Sequence, residues 1–216
     1  MESKIATLIG ATGLIGSHLL DLLLLDDHYE KVRLIVRRPF TFNNPKVEVI
    51  VINFENLNEF QAAITGSEAV FCAVGTTQKK VKGDKAAYRK VDFDISVNAA
   101  RFCQETGVPK FLLVSSVGAD SKSGNFYLKL KGETEDAVES LKLPSATIFR
   151  PSMLLGKRTE SRPAEGVAQA ISKGLSFLFP GKYKPINARD VAKGMIAVSK
   201  KEMTGFKVLH YKEIMG

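Results

Sequence analysis

The chain has 216 residues, 44% of them hydrophobic and 25% charged, with a formal net charge of +8 and a pI near 9.4. That size and balance suit a chain that buries a full core and exclude a disordered or low-complexity one. The basic excess comes in short runs without interleaved aromatics, which points to a solvated surface and a site for a small anion rather than to nucleic acid.

Cys72 and Cys103 lie in apolar contexts without metal-ligand spacing, and His18, His28 and His210 are scattered, so no metal site is expected. The run "LLDLLLLDD" is short and carries Asp21, so no membrane span is expected. "MESKIATLIG" shows no leader pattern, and reduced thiols suit a cytoplasmic protein.

In chain order, "KIATLIG" (4–10) is an apolar strand, and residues 13–26 place Leu14, Ile15, Leu19, Leu22, Leu23 and Leu25 on a helix face. Strands follow at 32–36 and 47–54, a helix at 56–66 and a fourth strand at 69–75. After a polar loop (76–84), a long helix is expected over 85–106, stopped by Gly107 and Pro109. Residues 111–117 are a fifth strand, 126–141 a helix and 146–152 a sixth strand. These strands are apolar on both faces, as a parallel sheet covered by helices requires. The alternation predicts an α/β, doubly wound, mostly parallel sheet with helices on both faces, in a single domain of 216 residues. Beyond Pro151 come a polar stretch (156–166), helices near 164–178 and 189–200, and a strand-like "FKVLHY". Residues 152–216 are expected to form a small cap on the substrate side.

The first strand runs into "GATGLIG" (10–16). Glycines at 10, 13 and 16 permit a tight turn, close approach of backbone N–H groups to a pyrophosphate, and close packing of helix on strand. The following helix N-terminus is an anion site. At the end of the second strand, where an acidic residue would hold the ribose 2′-hydroxyl of NAD, the chain carries Arg37 and Arg38. Guanidinium forks suit a 2′-phosphate, so the expected cofactor is NADP(H) in preference to NAD(H).

"YLKLK" sets Tyr127 and Lys131 four residues apart on one helix face. The lysine ammonium stabilises a phenolate and makes the tyrosine a usable acid and base. "SSVGAD" places Ser115 and Ser116 at the carboxyl edge of the sheet, where one of them can hold a substrate oxygen; strand alternation leans towards Ser116 and leaves Ser115 open.

Together with "VRLIVRRPF", "FCAVGTT", "VDFDISVNAA", "FRPSMLLGKRTESRP" and "INARDVAKGM", these motifs resemble the short-chain dehydrogenase/reductase superfamily. The similarity is to its atypical, extended-like branch and, within that, to the Tat-interacting oxidoreductase-like proteins. The resemblance implies a Rossmann fold and a dinucleotide held by residues of the glycine turn, Gly10, Ala11, Thr12, Gly13, Leu14, Ile15 and Gly16. It implies Arg37 and Arg38 at the 2′-phosphate, with Asn53, Phe54, Ala73, Val74, Gly75 and Thr76 also towards the cofactor. Tyr127 would move the proton with Lys131 beside it, Pro151 and Ser152 would lie near the nicotinamide, and Met153, Arg158 and Arg162 would edge the pocket. An apolar pocket lining is expected from Met153, Leu154, Phe177, Phe179 and Tyr183. The implied activity is NADP(H)-dependent oxidation or reduction of a small carbonyl or alcohol. Two alternatives stand beside it: an epimerase- or dehydratase-like enzyme, and a cofactor-bound regulator or scaffold of protein partners. Substrate identity and oligomeric state stay open.

Overall fold

Among the described residues nine strands form: β1 (Ile5–Ile9), β2 (Lys31–Val36), β3 (Val47–Val51), β4 (Ala69–Cys72), β5 (Lys110–Val114), β6 (Ser145–Phe149), β7 (Leu154–Leu155), β8 (Ile186–Asn187) and β9 (Gly205–Leu209). They are seen in a computed structural model that describes residues 4–39, 41–156 and 181–216. Seven of them build one parallel sheet in the order β3-β2-β1-β4-β5-β6-β9. The order reverses between β1 and β4, and the crevice at such a switch point is where open α/β sheets bind ligands.

Successive residues of the central strands point into two separate cores. Leu8, Leu34, Phe71, Leu112 and Phe149 pack under α1 (Leu14–Leu24) and, later in the chain, under residues 188–199. Ile9, Ile35, Val70, Phe111 and Ile148 pack on the other side under α2 (Leu57–Ile64) and the helices that follow. The largely apolar runs of β1, β4 and β6, broken only by the buried hydroxyls of Thr7, Ser145 and Thr147, have this cause, since such strands are covered by a helical layer on each face.

Three features differ from the sequence reading. The helix expected over 85–106 is α3 (Lys85–Arg89), a π-helical turn (Lys90–Asp94) and α4 (Ile95–Glu105). Asp92 falls in the widened turn with 1% of its surface exposed, so the irregularity carries a buried carboxylate. Several strands end earlier than their apolar runs. Residues 73–75, 115–117 and 150–152 leave the ladder at its carboxyl edge and become loops, although they remain largely apolar or buried. Helix α5 (Phe126–Ser140) starts where expected, behind an Asn125 cap that accepts from the amides of Tyr127 at 3.0 Å and Leu128 at 3.1 Å.

The third difference concerns the C-terminal region expected to cap the substrate side. Much of it builds the fold itself: β9 pairs with β6 from Ser145↔Gly205 to Phe149↔Leu209. Helix α6 (Ala188–Ser199) buries Val191, Ala192 and Met195 in the same core as α1, and α7 (Tyr211–Met215) adds Ile214. Of the described strands, only the short parallel ribbon of β7 and β8 lies apart from the main sheet.

Candidate active site

The turn between β1 and α1 separates its three glycines by duty. Gly10 has φ +94°, and a Cβ there would lie 2.7 Å from the Ala73 carbonyl oxygen. At Gly16 a Cβ would lie 2.0 Å from the Gly10 oxygen, so helix and turn touch backbone to backbone. Gly13 is roomier: its amide closes the turn on Gly10 O at 2.9 Å, and a Cβ would meet only Gly10 O at 3.3 Å and Ala73 O at 3.6 Å. Gly13 also caps α1 without a side-chain acceptor, and the first turn holds no acid. The amides at this helix start therefore remain available to an anion. The side chains of Ala11 and Ile15 are in the core, while Thr12 is exposed and Leu14 half-buried.

Gly16→Ala is therefore expected to lower the melting temperature by roughly 6–12 °C, from about 3 kcal/mol of backbone collision. Gly13→Ala should melt within about 3 °C of wild type yet bind the dinucleotide more weakly. Equal melting temperatures for the two variants would refute this division.

Arg37 and Arg38 follow β2 directly and are exposed at the same carboxyl edge as the glycine turn, since Ile9 and Ile35 are in register. Neither has an acidic partner among the described residues. Asn53 and Phe54 leave β3 nearby with their side chains occupied. The Asn53 carboxamide accepts from the Glu55 amide at 3.1 Å, and Phe54 stacks edge-on against Phe60 at 4.9 Å.

Helix α5 brings Tyr127 and Lys131 together as expected, with the Lys131 Nζ 6.0 Å from the Tyr127 ring centroid. The lysine side chain is only 6% exposed and is paired with Asp92 Oδ1 at 3.0 Å. Asp92 Oδ2 accepts from the Thr76 amide at 2.7 Å. The Thr76 carbonyl in turn accepts from the Tyr88 hydroxyl at 3.2 Å. One buried carboxylate thus ties the lysine to the loop leaving β4, where Ala73, Val74, Gly75 and Thr76 lie. Burial alone would push the Lys131 ammonium towards its neutral form, but the adjacent Asp92 charge outweighs this and holds its pKa above the ordinary lysine value.

The serines are not equivalent. Ser115 is 5% exposed and its hydroxyl donates to Glu135 on α5. Ser116 is half-buried, and among the described residues its hydroxyl makes only a 3.3 Å contact with the Val117 carbonyl oxygen. Pro151 is buried, and its carbonyl accepts from the Val117 amide at 2.9 Å. The Ser152 hydroxyl donates to the Lys184 carbonyl, and the Met153 carbonyl accepts from the Ile186 amide at 3.0 Å. Leu154 packs against the core that contains α1, and Tyr183 is 45% exposed. Arg158, Arg162, Phe177 and Phe179 lie outside the described residues.

A family model described as NAD(P)H-binding matches residues 10–202, and Protein HTATIP2 of Rattus norvegicus is 40% identical over 174 residues, 78% of this chain and 70% of that protein. The chain belongs to the NAD(P)H-binding family. This NAD(P)H-binding protein is also 33% identical over 207 residues to Protein FMP52, mitochondrial, of Debaryomyces hansenii, covering 92% of this chain and 89% of that one. Among solved structures, UDP-N-acetylglucosamine 4-epimerase from Methanobrevibacter ruminantium M1 superposes with a TM-score of 0.73 at 17% identity, over 97% of this chain and 77% of that one. Uronate dehydrogenase from Agrobacterium tumefaciens superposes with a TM-score of 0.71 at 14% identity, over 97% and 76%. At such identities the likeness is one of fold, the Rossmann-like fold that the motifs implied.

The fungal relatives carry mitochondrial names, which overturns the cytoplasmic location expected from the thiols and the N-terminus. Both thiols are buried and free, but a reduced thiol suits any reducing compartment and does not choose between them. Among the described residues, no helix is long and apolar enough to cross a membrane.

Sequence reasoning about this NAD(P)H-binding protein missed Asp92, Tyr88 and Glu135. The first carried one usable signal: an aspartate four residues after Tyr88 and four before Ser96, inside a predicted helix, where aspartate is a poor helix former.

Proposed function

We propose that the protein is an NADP(H)-dependent oxidoreductase of the short-chain dehydrogenase/reductase type, acting on a small carbonyl or alcohol. The observation that carries this reading is the buried Lys131–Asp92 pair one turn along from Tyr127, joined to the Thr76 peptide on the cofactor edge. A lysine buried at such a site costs desolvation, and its use is to keep a positive charge beside a phenol.

The residues present fit a dinucleotide. The uncapped N-terminus of α1 and the open face of Gly13 would hold its pyrophosphate, and Arg37 and Arg38, without an acidic partner among the described residues, its 2′-phosphate. When bound, the cofactor supplies or accepts the hydride equivalent. Tyr127 Oη gives a proton to the substrate oxygen in reduction and takes it back in oxidation. The Lys131 ammonium stabilises the phenolate in between, and Asp92 keeps that ammonium charged and in place. Ser116 is the better placed serine to hold the substrate oxygen, because the Ser115 hydroxyl is engaged with Glu135.

The cofactor preference is tested by replacing Arg37 and Arg38 together with Ala. Each charge-assisted hydrogen bond is worth roughly 1.5–3 kcal/mol, so NADPH should bind at least about 100-fold more weakly while NADH changes little. Equal affinities of the wild type for NADH and NADPH would defeat the preference. The activity itself is tested with NADPH and a panel of small ketones and aldehydes. Tight NADPH binding without turnover on any of them would favour the cofactor-bound regulator.

A further inference from the structure

Glu135 continues the stripe of α5 that carries Tyr127 and Lys131, at four-residue steps along one face. It is 3% exposed, although it is a carboxylate. It accepts the Ser115 hydroxyl and a forked contact from Arg150, whose Nε lies 3.1 Å and 3.0 Å from the two carboxylate oxygens and whose Nη2 lies 2.6 Å from Oε2. Ser115 immediately follows β5 and Arg150 immediately follows β6. The Arg150 amide also donates to the Leu209 carbonyl of β9 at 2.9 Å.

One turn earlier, Lys131 reaches the loop after β4 through Asp92. One buried and one part-buried ion pair on the same stripe thus fasten α5 to the carboxyl ends of three adjacent strands. Gly132 lies between them, and a Cβ there would stand 2.1 Å from the Ser121 nitrogen and 2.2 Å from the Asp120 carbonyl carbon. The loop joining β5 to α5 therefore rests on this same turn, with the Asp120 amide donating to the Leu128 carbonyl at 3.1 Å.

Buried ion pairs add little net stability over apolar packing, so their use lies in geometry. A forked guanidinium–carboxylate contact is directional and sets both the rotation and the height of a helix. Tyr127 sits in the first turn of α5, where the helix alone would hold it least firmly. A misplacement of about 1 Å at a reacting group can cost about 100-fold in rate.

We propose that Glu135 is a positioning residue for Tyr127: gripped by Arg150 and Ser115, it sets where α5 holds the phenol above the ends of β5 and β6. The proposal rests on the oxidoreductase reading. The glycine turn that would hold the dinucleotide is on β1 and α1, outside this network, so rate and cofactor affinity separate.

The test uses the full chain with two variants, Glu135→Gln and the double variant Glu135→Gln/Arg150→Gln, in which two amides replace the ion pair. Glu135→Gln should lower kcat by roughly 10- to 100-fold, with KM and the NADPH Kd within about threefold of wild type. The double variant should recover at least about tenfold of that loss, because no unpaired charge remains. Tyrosine labelled with carbon-13 at Cζ gives a readout that needs no turnover. The Tyr127 signal, assigned by its loss in Tyr127→Phe, should shift in Glu135→Gln and return towards its wild-type place in the double variant. An unmoved signal overturns the proposal, as does a parallel loss of kcat and NADPH affinity. If the wild type reduces no carbonyl compound, the oxidoreductase reading fails, and the Tyr127 signal still decides whether Glu135 positions the ring.

Discussion

Tyr127→Phe is expected to lower turnover by about 10²- to 10⁴-fold while NADPH affinity stays within about threefold of wild type. The phenol oxygen is the atom that would carry the proton, and phenylalanine keeps the ring and its packing while removing that atom alone. Nothing else in α5 should move, since the Asn125 cap bonds the backbone amides of Tyr127 and Leu128 rather than the hydroxyl. Lys131 would keep Asp92 as its partner, so the buried charge stays compensated. The loss should therefore fall on kcat. Steady-state kinetics on a ketone or aldehyde that the wild type reduces, beside a fluorescence titration with NADPH, make the measurement. Unchanged turnover would remove Tyr127 from the chemistry without touching the fold.

Asp92→Asn is expected to destabilise the protein by about 3–5 kcal/mol, because it leaves the buried Lys131 ammonium without its counter-charge. At about 2–4 °C per kcal/mol for a chain of this size, the melting temperature falls by roughly 6–20 °C. The amide oxygen can still accept from the Thr76 amide, but the NH2 then faces the Lys131 ammonium, so the counter-charge and the hydrogen bond to Lys131 are lost together while the link to Thr76 stays. Its pH dependence has a definite sign. In the wild type the Lys131 pKa is raised, so its stabilising contribution is fully present below the ordinary lysine value and is lost only as pH rises through the folded value. In the variant, burial acts without the Asp92 charge against it and depresses that pKa. Folding then releases a proton, and stability climbs with pH from neutral into the alkaline range. Wild type and variant should therefore converge as pH rises. Urea unfolding at several pH values reads this directly, and parallel profiles would show that Asp92 does not govern the lysine's charge. Turnover in the variant should also drop by at least about 100-fold near neutral pH.

The sequence alone carried the layered fold, because its causes are local and periodic. The two-faced apolar runs of β1, β4 and β6 require helices on both sides of a parallel sheet. Gly10, Gly13 and Gly16 between a strand and a helix mark a tight turn at a helix start, and the four-residue step from Tyr127 to Lys131 places both on one helix face. Each of these is a relation between residues close in the chain. What depends on distant segments meeting was decided by the tertiary structure. Asp92 shows locally only as a poor helix former inside an expected helix, and it is the π turn and the docking of α5 that bring it to Lys131 and Thr76. Strand alternation leaned towards Ser116 without excluding Ser115, and it was Glu135 on another element that engaged the Ser115 hydroxyl. Likewise the C-terminal segment read as a cap, yet β9 found an open edge on β6 and α6 found apolar surface beside α1. The physical reason is common to all three. Periodicity says which face of an element is apolar, whereas the partner of a buried charge, a hydroxyl or a sheet edge is set by which elements pack together.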